Sequence, residues 1–235
     1  MDFNRRILKV LEARGKLSKQ DILALARREF PELTDAAVSW RLHDMKSQGL
    51  IQSCGYGNYT LSEKHAFLPV VSARLKRLYH KIHREFPFIE ACVWDSRWFN
   101  NFMQHQLFRF YLVIEVEKGA AESVFNALTD FNTNVFLDPD KNVFDRYVSN
   151  FDEVIIVKPL ISEAPLIEHD GIKLASLEKL LIDVLADKVL FAAQQQELGY
   201  IYQSVQQKYN LNVSRMRRYA RRRNQSDRLN TLLHK

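Results

Sequence analysis

Through the first 65 residues apolar positions recur at helical spacing, until a glycine-rich stretch breaks the pattern. Phe3, Ile7, Val10 and Leu11 predict a helix over 3–13, closed by Gly15. Ser18 is a candidate N-cap for a second helix, with Asp21 as the carboxylate of a capping box. Ile22, Leu25, Ala26 and Phe30 form its apolar stripe, and Pro31 cannot continue it. Pro31-Glu32-Leu33 is a connection of helix-turn-helix length before the next cap, Thr34. In the helix over 34–48, Val38, Leu42 and Met45 fall on one side, and Ala36, Trp40, His43 and Ser47 on the other, with Ser39 on the flank. Gly49 suits the left-handed position that ends a helix. Leu50-Ile51 and Tyr59-Leu61 then flank Gly55-Tyr56-Gly57-Asn58, the signature of a tight hairpin.

Beyond residue 65 the pattern alternates between helix and strand. Leu68, Val71, Leu75 and Leu78 predict a connecting helix ended by Pro87. A strand over 89–93, a helix over 94–104 capped by Asp95 or Ser96, and an alternating strand over 108–116 follow. Further elements are a helix at 120–128, strands at 135–137 and 154–157, and a last strand at 172–174. Ser176 caps a broad apolar helix, and a long helix then runs through Ile201, Val205 and Tyr209. The fold class read from this order is α+β. It comprises an N-terminal winged helix-turn-helix (1–65), a connecting helix (66–87), and a larger α/β domain with a mixed sheet (88–235) whose helical C-terminal segment ends in a basic tail.

Charge sharpens that division. Residues 1–65 hold 11 Lys/Arg against 8 Asp/Glu, residues 66–204 hold 14 against 19, and residues 205–235 hold 9 against 1. Basic ends around an acidic middle are expected to meet different partners. Arg215, Arg217, Arg218, Arg221, Arg222 and Arg223 lie within about two helical turns. They call for a phosphate backbone or an acidic protein surface, unless they are simply a solvated tail. No run approaches the roughly 18 apolar residues of a membrane span, and the N-terminus lacks a signal-peptide pattern, so the cytoplasm is expected. Two distant cysteines, Cys54 and Cys92, argue against a disulfide framework.

In a winged helix-turn-helix the third helix reads the major groove and the wing touches backbone or minor groove. The candidate readers are Thr34, Ala36, Ser39, Trp40 and His43, with Lys46 nearer the phosphates and Tyr56 and Asn58 on the wing. Trp40 has an alternative role, packing on the wing or a neighbouring domain. A nuclease using Asp95, Glu115 and Glu117 as metal ligands is the enzymatic alternative, but Lys118 directly follows Glu117 where the lysine should stand one residue further. Asp138-Pro-Asp140-Lys-Asn142 resembles the start of a calcium loop, but Val143 and Ser149 replace its glycine and bidentate glutamate. No phosphate-cradling glycine loop, nucleophile elbow or metal-spaced histidine pair occurs, so no catalytic residue, metal or cofactor is expected. Within WDSRWFNNFMQHQ, Trp94, Asp95, Trp98 and Gln104 either line an exposed groove or serve as core and cap.

Three passages carry a family resemblance: VSWRLHDMKSQGLI followed by GYGNYTL, IKLASLEKLLIDVLADK with Asp183, and SRMRRYARRRN. Together they resemble the AbiEi-like antitoxins, transcriptional regulators of type IV toxin–antitoxin systems. The resemblance implies a non-enzymatic repressor that binds a double-stranded operator of its own operon. It also implies a protein partner, a nucleotidyltransferase-type toxin encoded by an adjacent gene. A protein-interaction module with no DNA role is the remaining alternative.

Overall fold

The computed structural model describes residues 2–62 and 64–233, apart from the side chain of Ser47. The chain divides into two compact units. One comprises residues 1–67 together with 206–212, and the other residues 68–205 and 213–235.

The first unit is built as the apolar spacing requires. Helix α1 (Phe3–Arg14) buries Phe3, Ile7 and Leu11 and ends at Gly15, whose φ of 73° is the left-handed geometry expected there. Strand β1 (Leu17–Ser18) leads into α2 (Lys19–Glu29), where both halves of the Ser18–Asp21 capping box form. Helix α3 (Asp35–Ser47) starts at Thr34, whose hydroxyl accepts the Ala37 N–H. Strands β2 (Ile51–Ser53) and β3 (Asn58–Leu61) make the wing, which turns through Gly55 and Gly57 at positive φ. The sheet order is β1-β3-β2, all antiparallel, with Leu17 opposite Tyr59 and Ile51 opposite Leu61. Strand β1 is absent from the sequence reading because two residues carry no period. It exists because β3 offers it a free edge, and Leu17 there joins the core of Phe3, Ile7, Ile22, Val38, Leu42 and Met45.

A second departure comes from far along the chain. Residues 206–212 belong to this unit. The Asn210 amide nitrogen lies 2.9 Å from Gly49 O, 2.7 Å from Ser62 Oγ and 2.8 Å from Lys64 O. His65 and Tyr209 form an isolated parallel bridge, and the Tyr209 ring meets Phe67 edge-on at 5.7 Å. One asparagine thus ties the end of α3 to the exit of the wing. A single polar residue in a loop has no sequence pattern to announce it.

The second unit carries a six-stranded mixed sheet in the order β6-β7-β5-β4-β9-β8. Helix α4 (Ala73–Glu85) packs on β4 (Ala91–Asp95) through Leu75, Leu78, Tyr79 and Ile82, so it is part of this unit rather than a free connector. The chain continues through β5 (Phe110–Val116), α5 (Ala121–Thr129), β6 (Val135–Leu137), α6 (Lys141–Arg146) and β7 (Glu153–Pro159). A hairpin of β8 (Leu166–His169) and β9 (Ile172–Ala175) precedes α7 (Leu177–Ala186), α8 (Leu198–Lys208), α9 (Val213–Arg222) and α10 (Ser226–Leu233). Strands β6, β7 and β5 are parallel, and β4 is antiparallel to β5 and parallel to β9.

Several boundaries differ from the apolar pattern, each for a local reason. Strand β5 lies inside the sheet and is buried from Leu112 to Val116 without alternation, because both faces are covered. Strand β4 runs on to Asp95, and the expected helix over 94–104 is only a 3-10 turn over Ser96–Asn101, started by Asp95 accepting the Arg97 N–H. The stretch 138–142, which resembles the start of a calcium loop, instead leads into α6, capped by Asp140. After α7 the Asp187 carboxylate accepts the N–H groups of Val189 and Leu190 and stops the helix. Among the described residues no helix is long and apolar enough to cross a membrane.

Candidate nucleic-acid interface

Helix α3 has two contrasting sides. Val38, Leu42 and Met45 are at most 2 % exposed, whereas Trp40 is 67 % exposed, Ala36 and His43 share its exposed side, and Lys46 is exposed on the flank. At two-thirds exposed, the Trp40 indole is not buried against the wing. A large aromatic left in water is the kind of surface that marks a contact site.

The flanking candidates are more occupied. The Thr34 hydroxyl is spent on its cap, and the half-buried Ser39 donates its hydroxyl to Asp35 O at 2.9 Å. Asp35 pairs with Arg27 across the α2–α3 turn at 2.6 Å, and this hydrogen bond holds its carboxyl below the ordinary range. On the wing, Asn58 donates its amide to Tyr56 O and so serves the turn, while the Tyr56 side chain stands fully exposed at the tip. The face open for contact therefore narrows to Ala36, Trp40, His43 and Lys46 on α3, plus Tyr56.

The six tail arginines also separate, because α9 buries Met216, Tyr219 and Ala220. Arg215 donates to Leu166 O at 3.1 Å, Arg222 meets Ser162 and Glu163, and Arg223 stands 3.3 Å from Asp183. Arg217, Arg218 and Arg221 are exposed and have no hydrogen bond or ion pair among the described residues.

The second unit also holds a charged cluster that the sequence reading missed. Lys179, 1 % exposed, places its ammonium 2.7 Å from Glu115 and in contact with Asp183. Trp94 Nε1 donates to the same Glu115 oxygen at 2.9 Å, and the Tyr219 hydroxyl donates to Asp183 at 2.8 Å. Lys158 nearby pairs with Asp138 and Asp187. Burial alone lowers the Lys179 pKa, but Asp183 and Glu115 outweigh it and hold the ammonium well above its ordinary value. The signal lay in α7 and its C-cap: Lys179, Asp183 and Asp187 recur every fourth residue along a helix whose only other charged residue is Glu178. The cavity bounded by Trp94, Glu115, Asp183, Tyr219 and Arg223 measures only about 20 Å3, enough for about one water molecule.

The residues proposed for a nuclease do not assemble. Asp95 is engaged by Arg97 at 2.6 Å, Glu115 belongs to the Lys179 cluster, and Glu117 is exposed. Among the described residues no three His, Cys, Asp or Glu side chains gather closely enough to hold a metal ion. Trp94, Asp95 and Trp98 are buried, and Trp98 Nε1 donates to Val70 O at 3.0 Å, so these three are core and cap rather than a groove, whereas Gln104 is exposed. Cys92 is buried, which pushes its thiol pKa up and leaves it unreactive.

Three helices with a three-stranded antiparallel sheet in one unit, and a six-stranded mixed sheet with helices in the other, define the class of this protein. The chain belongs to DUF6577, a family of unknown function whose model matches residues 37–235, from within α3 to the C-terminus. No curated protein matches the sequence.

Proposed function

We propose that this protein is a non-enzymatic DNA-binding transcriptional regulator acting in the cytoplasm. The reading extends to an antitoxin that represses its own operon and neutralises a nucleotidyltransferase-type toxin. The observation that carries the DNA reading is the outward side of α3, where Trp40, His43 and Lys46 stand exposed, together with the exposed Tyr56 at the wing tip. An α-helix fits the major groove, and side chains on its outward face meet base edges. Covering the exposed two-thirds of the Trp40 indole is worth on the order of 2–3 kcal/mol. The antitoxin half rests on the sequence resemblance alone.

Selection of bound fragments from a random duplex pool, followed by titration of the enriched site, tests the DNA reading. Alanine at Trp40 or His43 is expected to weaken the preferred site by about 1–3 kcal/mol per lost contact and to change the preference at neighbouring base pairs. An unchanged preference in both variants removes α3 as the reader. Co-expression with the product of the adjacent gene tests the antitoxin half, which fails if growth arrest by that product is not relieved.

A further inference from the structure

Helices α9 and α10 enclose a groove of about 390 Å3 lined by Arg217, Arg221, Ser226, Leu229 and Asn230. Arg217 and Arg221 lie one helical turn apart, about 6 Å along the axis. Both are exposed and lack a partner among the described residues. Ser226 and Asn230 are likewise four residues apart on α10, and they add a hydroxyl and an amide to the lining of the same groove. No carboxylate lines the groove. Two unpaired guanidiniums with neutral donors and no acceptor of negative charge make a site for an oxyanion, which arginine grips with two parallel N–H bonds.

We propose that this groove anchors the phosphodiester backbone of nucleic acid, an inference that rests on the DNA-binding reading above. Arg, Ser and Asn are among the side chains that contact phosphate oxygens without reading sequence. An acidic protein partner is the less favoured occupant. Leu229 is fully buried, so the groove offers none of the exposed aliphatic or aromatic anchors on which protein interfaces depend. Arg218, exposed beside the pair, extends the same positive row.

The test uses the full chain and a fluorescent duplex of arbitrary sequence, titrated at several salt concentrations. Arg217→Ala/Arg221→Ala is expected to lose about tenfold in affinity and to lower the salt slope by about two. Ser226→Ala/Asn230→Ala is expected to lose affinity with the slope unchanged. Arg77→Ala/Arg84→Ala, on exposed positions of α4, removes the same charge elsewhere and is expected to leave both quantities alone. Unchanged affinity and slope in the arginine pair overturn the proposal, as does an equal loss in the α4 control. If the arginine pair binds as before while Trp40→Ala loses site preference, only the groove assignment falls. If the unaltered chain binds no duplex, the groove assignment and the DNA reading fall together.

Discussion

Replacing Lys179 by methionine isolates the energetics of the second unit. The substitution keeps most of the side-chain volume but removes the cation between Glu115 and Asp183, both at most 7 % exposed. Asp183 retains Tyr219 and Arg223, whereas Glu115 is left with Trp94 Nε1 alone. Breaking a buried ion pair by deleting one partner costs about 3–5 kcal/mol. For a unit of this size that lowers the midpoint of thermal unfolding by about 6–20 °C. Neutralising the stranded carboxylate in Glu115→Gln/Lys179→Met is expected to recover more than half of the loss, since the remaining Asp183 keeps both its donors. Thermal and urea unfolding of the three chains, followed by tryptophan fluorescence through Trp94, reads both effects. A loss below about 1 kcal/mol for Lys179→Met refutes the reasoning, because it means that water reaches and screens the cluster. The pH dependence has a definite sign. A lysine held above its ordinary pKa contributes fully below that value and loses its contribution only as the pH rises through the raised one. The stabilisation is therefore expected to be flat between pH 6 and 9 and to fall only under strongly alkaline conditions.

Three further predictions concern the first unit. Gly49 has a φ of 71°, and a Cβ placed there meets Asn210 at 2.4 Å, so Gly49→Ala is expected to cost at least the ~1–2 kcal/mol of a left-handed L-residue. Asn210→Ala, which leaves Gly49 O and Lys64 O short of a donor, is expected to cost about 1–3 kcal/mol in urea unfolding. A loss below the measurement error in either variant contradicts the clamp. Glu29 is held down to about 2, first by its hydrogen bond to Arg6 and then by Arg28. Its contribution is present above the ordinary value of 4.5 and is lost as the pH falls through about 2, so Glu29→Gln should flatten the acid limb of stability across that window.

The sequence by itself determined the three helices, their caps and the glycine hairpin of the first unit. Helices, caps and glycine turns are local devices, and Ser18, Thr34, Gly15 and Gly49 each act on neighbours within a few positions. The exposed side of α3 was legible for the same reason: a helix with one apolar stripe has a defined opposite face. The six tail arginines were legible as a charge run, but not as a division into held and free. That division depends on Leu166, Ser162, Glu163 and Asp183, which approach α9 only in the folded unit.

Tertiary structure alone decided the rest. A two-residue strand, an asparagine from a remote loop and a buried lysine between carboxylates from different elements have no period and no fixed spacing. Glu115 in the sheet and Lys179 on α7 are 64 residues apart, and burial turns them into a pair. A charged residue at an apolar position costs too much to bury alone, so its partner must exist. The sequence can flag the charge, but only the fold supplies the partner.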